Sequence, residues 1–221
     1  MYGRLQTLLL PLLLACTLSA GAADVPPIRV EARAAIADAA IPSGPVLTHT
    51  LALTVANIAA WPEAEITAAV HETARILAQC GIRIARADLV TVAAPDAHRY
   101  FDTPRSRELA RVLALPKPTL YFTAGTRQTP AFDAEAIGRG NSRTRPELAD
   151  TVWIARGARD LGIVVAHELA HVLMDSGAHD HSPGNLMAES TTPQNTQLSN
   201  AQCARIRATG TRNSLLHSGV N

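Results

Sequence analysis

The chain predicts an α+β domain. Three observations carry this. Short segments at 46–55, 82–92, 119–123 and 151–155 read as strands. A long apolar stripe at helical spacing lies between the first two. A second, strongly apolar helix begins at Leu161, after the last of them.

The first 22 residues stand apart. One basic residue, Arg4, precedes an apolar run from Leu8 to Ala15, and Ala20-Gly21-Ala22 follows as a small-residue cleavage site. That is the pattern of an export signal peptide, too short to span a bilayer. A rival reading takes Leu13-Leu14-Ala15-Cys16 as a lipobox, which would make Cys16 a lipid anchor. The expected location is therefore secreted or periplasmic, with a lipoprotein anchored through Cys16 as the alternative. No other stretch is long and apolar enough to span a membrane. Residues 23–45 are rich in Ala and Pro with little periodicity. They read as a linker, a short pro-segment or the lead-in to a first strand, leaving 46–221 as one catalytic-sized domain.

Within that domain, residues 46–55 alternate as a strand should. Trp61-Pro62-Glu63 opens a helix, since Pro suits the first turn and Glu complements the positive end of the helix dipole. Ile66, Ala69, Val70, Ala74, Leu77 and Cys80 form its apolar stripe, and Gly81 ends it. Residues 82–92 form the second strand, 106–115 a helix, 119–123 the third strand and 151–155 the fourth. A final helix over 201–207 follows a Ser199-Asn200 cap. The stretch 136–141 (Ala-Ile-Gly-Arg-Gly-Asn) reads either as an edge strand or as a Gly-rich surface loop.

Charge narrows the partners. The chain holds 20 Lys and Arg against 19 Asp and Glu, and the signal segment contains Arg4 alone among these. The processed chain is therefore neutral, which argues against a nucleic-acid partner and against an anionic membrane surface. Two of the three cysteines, Cys80 and Cys203, survive processing. An exported compartment permits a bridge between them, and two separate buried thiols are the alternative.

The chemistry concentrates at residues 167–171, His-Glu-Leu-Ala-His. A helix puts residues four apart on one face, so His167 and His171 can close on a single cation. Glu168, beside the first of them, can reach a water at the metal and act as general base. A catalytic zinc needs a third protein ligand and an open fourth position. The chain must therefore leave the helix and return, and Gly177 is the expected turn residue because it accepts positive φ. His179 follows as the chosen third ligand, with His181 and Glu189 as alternatives. Imidazole ligands favour one zinc ion as the cofactor. Asp175 and Asp180 are candidates to accept hydrogen bonds from the ligands. His71 lies on the first helix but off its apolar stripe, and His49, His98 and His217 have no partner by spacing. Tyr2, Tyr100 and Tyr121 give no reason to assign an oxyanion-stabilising role.

This segment resembles the active-site helix of metzincin metalloproteases, His-Glu-x-x-His-x-x-Gly-x-x-His followed by a methionine turn. His167, Glu168 and His171 match directly, and Met187 in Asn185-Leu186-Met187 matches the methionine. The run through Pro183 to Leu186-Met187 is similar to the matrixin branch. One departure stands out: Met174 occupies the metzincin Gly position and Gly177 the third-His position, so His179 arrives two residues late. The resemblance implies a zincin-like domain with a mixed twisted sheet packed on the early helix and the zinc-binding helix, plus a C-terminal helix. It implies an exported zinc endopeptidase acting on peptide or protein substrates, expected as a monomer. A non-catalytic metal-binding module of the same fold, or a zinc amidase acting on cell-wall peptides, are the other readings. Glu168 separates the module from the enzymes, because a structural zinc needs no base.

Overall fold

Four strands of this chain run parallel to one another, so every link between them must cross a face of the sheet. The computed structural model describes residues 27–38, 46–127, 136–137 and 145–219. In chain order these hold β1 (Arg29–Ile36), β2 (His49–Asn57), α1 (Glu63–Ala78), β3 (Ile82–Ala93), β4 (Tyr100–Phe101), α2 (Thr103–Leu113), β5 (Thr119–Thr123), β6 (Gly125–Thr126), β7 (Ala136–Ile137), β8 (Thr151–Ala155), α3 (Leu161–Met174), α4 (Asn200–Arg212) and β9 (Leu216–Ser218). The main sheet is mixed, with spatial order β1-β3-β2-β5-β8-β7 and β9 alongside the start of β2. Strands β3, β2, β5 and β8 are parallel, while β1, β7 and β9 pair antiparallel. β4 and β6 form a separate two-stranded ladder. This is an α+β fold on a twisted mixed sheet.

The central strands are buried on both faces, and their period of two sorts side chains into two cores. Leu51, Leu53 and Val55 of β2, Leu120 and Phe122 of β5, and Val152 and Ile154 of β8 join one core with α1, α3 and α4. Ala56, Tyr121 and Trp153 point the other way, into a smaller core with Leu109 and Ala110 of α2. There Tyr121 stacks on Trp153 with ring centroids 4.1 Å apart. Tyr121 is thus committed to packing on the far side of the sheet from α3, and Tyr100 lies under the Arg127 guanidinium.

The helices differ from the sequence expectation mainly at their ends. α2 starts at Thr103 rather than 106, because the Asp102 side chain caps it by accepting from the Arg105 N–H and Pro104 sits in the first turn. It ends at Ala114 in the left-handed conformation, φ 43°. α4 starts at a capping box between Ser199 and Gln202 and runs to Arg212, five residues beyond 207. Its buried face continues through Ile206, Thr209 and Gly210, and packing against Leu216 overrides the weak helix propensity of the Thr-Gly-Thr stretch.

Four strands lie outside the sequence expectation: the two-residue β4 and β6, and the main-sheet strands β1 and β9. β1 lies inside 23–45, the stretch read as linker, pro-segment or lead-in, and pairs along its length with β3. It is an edge strand exposed on most positions, so it carries no apolar alternation to read. β9 is three residues long and pairs with β2 from the other end of the chain. β2 itself spans His49–Asn57 instead of 46–55, and Val46 is exposed. Of 136–141, residues Ala136–Ile137 pair antiparallel with β8 and 138–141 lie outside the described residues. The export segment, Cys16 and Tyr2 also lie outside them. No helix among the described residues is long and apolar enough to cross a membrane.

α3 is anchored to the rest of the large core by close approach and by a covalent tie nearby. At Gly162 an added Cβ would overlap Cβ and Cγ of Glu72 on α1 and lie 3.3 Å from the Ala69 carbonyl. The Thr73 hydroxyl donates across the same contact to the Gly162 carbonyl, 3.1 Å. A disulfide joins Cys80, just past α1, to Cys203 on α4 over a sequence separation of 123 residues. Closing a loop of that length removes denatured-state entropy worth on the order of 4–5 kcal/mol. Because the Glu72 atoms near Gly162 belong to the root of the side chain, they cannot swing away. Gly162→Ala should therefore destabilise the fold by about 1–3 kcal/mol in urea denaturation, despite Ala being the better helix former. An unchanged or raised midpoint would contradict this packing.

Candidate metal centre

α3 is apolar almost throughout, and all its residues except Leu161 and Val164 are buried. Three polar groups are sunk in that helix: His167, Glu168 and His171, at 3%, 6% and 9% exposure. Burying polar groups is costly unless each finds a partner. The partners of the two imidazoles define the site.

The Nδ1 of His167 lies 2.7 Å from the Leu186 carbonyl, and the Nδ1 of His171 lies 2.6 Å from the Ser176 carbonyl. A carbonyl can only accept, so both Nδ1 atoms carry the proton and donate. In the neutral rings each Nε2 then holds a bare lone pair. These two lone pairs face each other, with Nε2 to Nε2 3.0 Å. Two acceptors at that distance repel unless a cation lies between them. A proton is disfavoured there. Burial holds the His171 pKa down at about 4, with the neighbouring His167 adding to it, and burial also lowers that of His167.

His179 completes the arrangement. Its ring centroid is 5.5 Å from that of His167 and 5.0 Å from that of His171. One ligand atom from each of His167, His171 and His179 lies within 4.8 Å of the others. Tetrahedral zinc ligands at about 2.0–2.1 Å sit roughly 3.3 Å apart, so the buried pair is already near that spacing. His179 is exposed, and its ring has room to adjust. The donor set fits zinc: three neutral imidazoles, two of them fixed in tautomer by backbone acceptors. His181 and Glu189, the alternative third ligands, are both exposed and stand outside this group. Glu168 Oε1 is 3.8 Å from His167 Nε2, on the edge of the cluster.

The return of the chain differs from expectation in one respect. Gly177 does not adopt positive φ. The left-handed residue is Asp175, φ 48°, immediately after α3. Its own N–H donates to the Val172 carbonyl, and the Ser176 N–H reaches back to the His171 carbonyl, 3.1 Å. That is a helix stop made by Asp, which tolerates the left-handed region better than most residues. The ring N–H groups of His167 and His171 are received by the Leu186 and Ser176 carbonyls. Asp180 acts on the loop. Its backbone N–H donates to the Met187 carbonyl, 2.8 Å, and its carboxylate accepts from the Ser182 N–H. Met187 is buried, and its N–H donates to the Asn185 side chain, 2.8 Å. The backbone acceptors left no signal in the sequence, since any residue supplies a carbonyl.

Of the remaining histidines, His71 bonds the Ala37 carbonyl, His98 pairs with Glu108, and His49 and His217 lie on β2 and β9.

Comparison with protein-family models finds no match, and comparison with curated proteins finds none. Among solved structures, the chain is similar to metalloproteinase-II from Bacteroides fragilis, at 18% identity and a TM-score of 0.47. That likeness covers 80% of this chain and 57% of the other, so the chain spans little more than half the length of the protein it resembles.

The lowered histidine pKa values set a pH dependence for the metal-free protein. Unfolding releases His171 to its ordinary value of 6.5, so below that pH the unfolded chain binds the proton first and is favoured. The stability lost grows from pH 6.5 down to about 4 and then levels off. Chelated wild type compared with His171→Leu should shift by about 3 kcal/mol against the wild type between pH 7 and pH 4. A pH-independent difference between the two would show that His171 is not held neutral.

Proposed function

We propose that the chain is an exported zinc-dependent endopeptidase of the zincin kind, acting as a monomer on peptide or protein substrates. The observation that carries this reading is the pair of imidazole lone pairs converging at 3.0 Å with a buried carboxylate beside them. A structural zinc site would fill its fourth position with protein and would need no base. Here three imidazoles gather, and the Glu168 carboxylate lies 3.8 Å from His167 Nε2.

Zinc held by His167, His171 and His179 would supply Lewis acidity, polarising the scissile carbonyl and making water acidic near neutral pH. The chain's own residues do the rest. The Ser176 and Leu186 carbonyls keep the two buried rings in the tautomer that presents Nε2. Glu168 takes the proton from the attacking water and returns it to the leaving amine. The apolar helix around it keeps bulk water off one side of the carboxylate. The Cys80–Cys203 bridge accords with an oxidising compartment, which supports export.

The test is digestion of casein and of a peptide library by the purified protein, with and without a chelator. Chelation should abolish cleavage and zinc should restore it. Glu168→Gln should lower kcat by roughly 10²–10⁴-fold while zinc stoichiometry is kept. Cleavage by Glu168→Gln at the wild-type rate, or cleavage indifferent to chelation, would overturn the reading.

A further inference from the structure

The geometry points to Gln79 and Gln202 as positioning residues of the metal centre, each beside a half-cystine and each clamping the turn that holds His167. This rests on the reading of the histidine trio as a zinc site. The Leu186 carbonyl that fixes His167 belongs to the turn 184–187, which contains no helix or long strand to stiffen it. Its rigidity has to come from outside, and two glutamines provide it, one bonded to Asn185 and one to the segment that pairs with the turn.

Gln202 sits on the first turn of α4, next to Cys203. Its Nε2 donates to Asn185 Oδ1 at 3.0 Å and to Asp180 Oδ2 at 3.3 Å. Its Oε1 accepts from Asn185 Nδ2 at 3.1 Å and from the Ser199 N–H at 2.7 Å. Asn185 in turn accepts from the Met187 N–H, and the Asp180 N–H donates to the Met187 carbonyl. One side chain thereby joins the turn, the segment directly after His179 and the start of α4.

Gln79 sits next to Cys80. Its Nε2 donates to the Thr196 carbonyl at 2.7 Å, and its Oε1 accepts from the Leu198 N–H at 3.3 Å. The residue it brackets, Gln197, pairs with the turn: the Leu186 N–H donates to the Gln197 carbonyl at 2.7 Å, and the Gln197 N–H donates to the Gly184 carbonyl at 3.0 Å. Arg207 of α4 also donates to the Cys80 carbonyl, 2.9 Å. The disulfide thus holds together the two supports from which the turn is gripped. Neither glutamine is near enough in sequence to the histidines to be read as part of their site.

The discriminating variants are Gln202→Glu and Gln79→Glu. Each keeps the accepting oxygen and deletes the donor. In Gln202→Glu the capping box with Ser199 and the bond from Asn185 Nδ2 survive, so α4 stays capped, but the donation to Asn185 Oδ1 and to Asp180 Oδ2 is lost and a carboxylate is set against Asp180. Gln79→Glu keeps the Leu198 bond and sets a carboxylate against the Thr196 carbonyl. Zinc affinity should be measured by competition with a chromophoric chelator, alongside visible absorption of the cobalt-substituted protein and the thermal midpoint of the metal-free protein. Zinc affinity should fall about 10–100-fold in Gln202→Glu, the loss expected when support behind a ligand is removed. Gln79→Glu should move in the same direction, with altered cobalt bands in both and metal-free midpoints near that of the wild type. Wild-type affinity and an unchanged cobalt spectrum in both variants would overturn the inference alone. If the wild-type protein itself takes up neither zinc nor cobalt, the proposed zinc site falls, and this inference with it.

Discussion

Two short hydrogen bonds organise this molecule's chemistry: His167 Nδ1 to the Leu186 carbonyl and His171 Nδ1 to the Ser176 carbonyl. Because a carbonyl cannot donate, they dictate the tautomer of both rings and turn two lone pairs toward one point. The helix period supplies the spacing and the backbone supplies the polarity. Burial then makes protonation of either nitrogen costly, so the point is left for a cation with more than one bond to offer.

The fold serves that arrangement by making α3 immovable. The central strands bury both faces, and α3 packs between α1 and α4 on one of them. Contact at Gly162 leaves no room for even one methyl group between α3 and α1. The far side of the sheet, with Tyr121, Trp153 and α2, builds a second core that takes no part in the chemistry. The flexible problem is the loop that brings His179 back, since it has no regular structure of its own. The glutamine clamps and the disulfide address that problem. They tie the loop to α1 and α4, the same two helices that hold α3.

What could be read in advance followed from side-chain pattern. β5 and β8 match residue for residue because they are short apolar runs between clear turn formers, Pro116 and Pro118 before one and Gly157 after the other. The buried histidine pair was legible because only a helix gives a four-residue spacing that shape. β1 was not legible, since an edge strand exposed on most positions has no apolar period. β9 was not, since three residues pairing with a strand more than 160 positions away leave no local trace. Glycine accepts positive φ most readily, so the pattern points to Gly177, whereas the residue that adopts it is Asp175. The acceptors of the His167 and His171 ring N–H groups are backbone carbonyls, which have no residue signature. The pattern points to His179 ahead of His181, and it is the His179 ring that lies beside the pair.

The claim beneath the rest is that three imidazoles, and these three, share one ion. X-ray absorption at the zinc edge of the purified, zinc-loaded protein tests it most directly, with His179→Ala and His181→Ala beside the wild type. The account predicts one zinc with three imidazole nitrogens at about 2.0–2.1 Å and a fourth, oxygen ligand, one imidazole lost in His179→Ala and none in His181→Ala. Zinc that keeps all three imidazoles in His179→Ala, or loses one in His181→Ala, would contradict it.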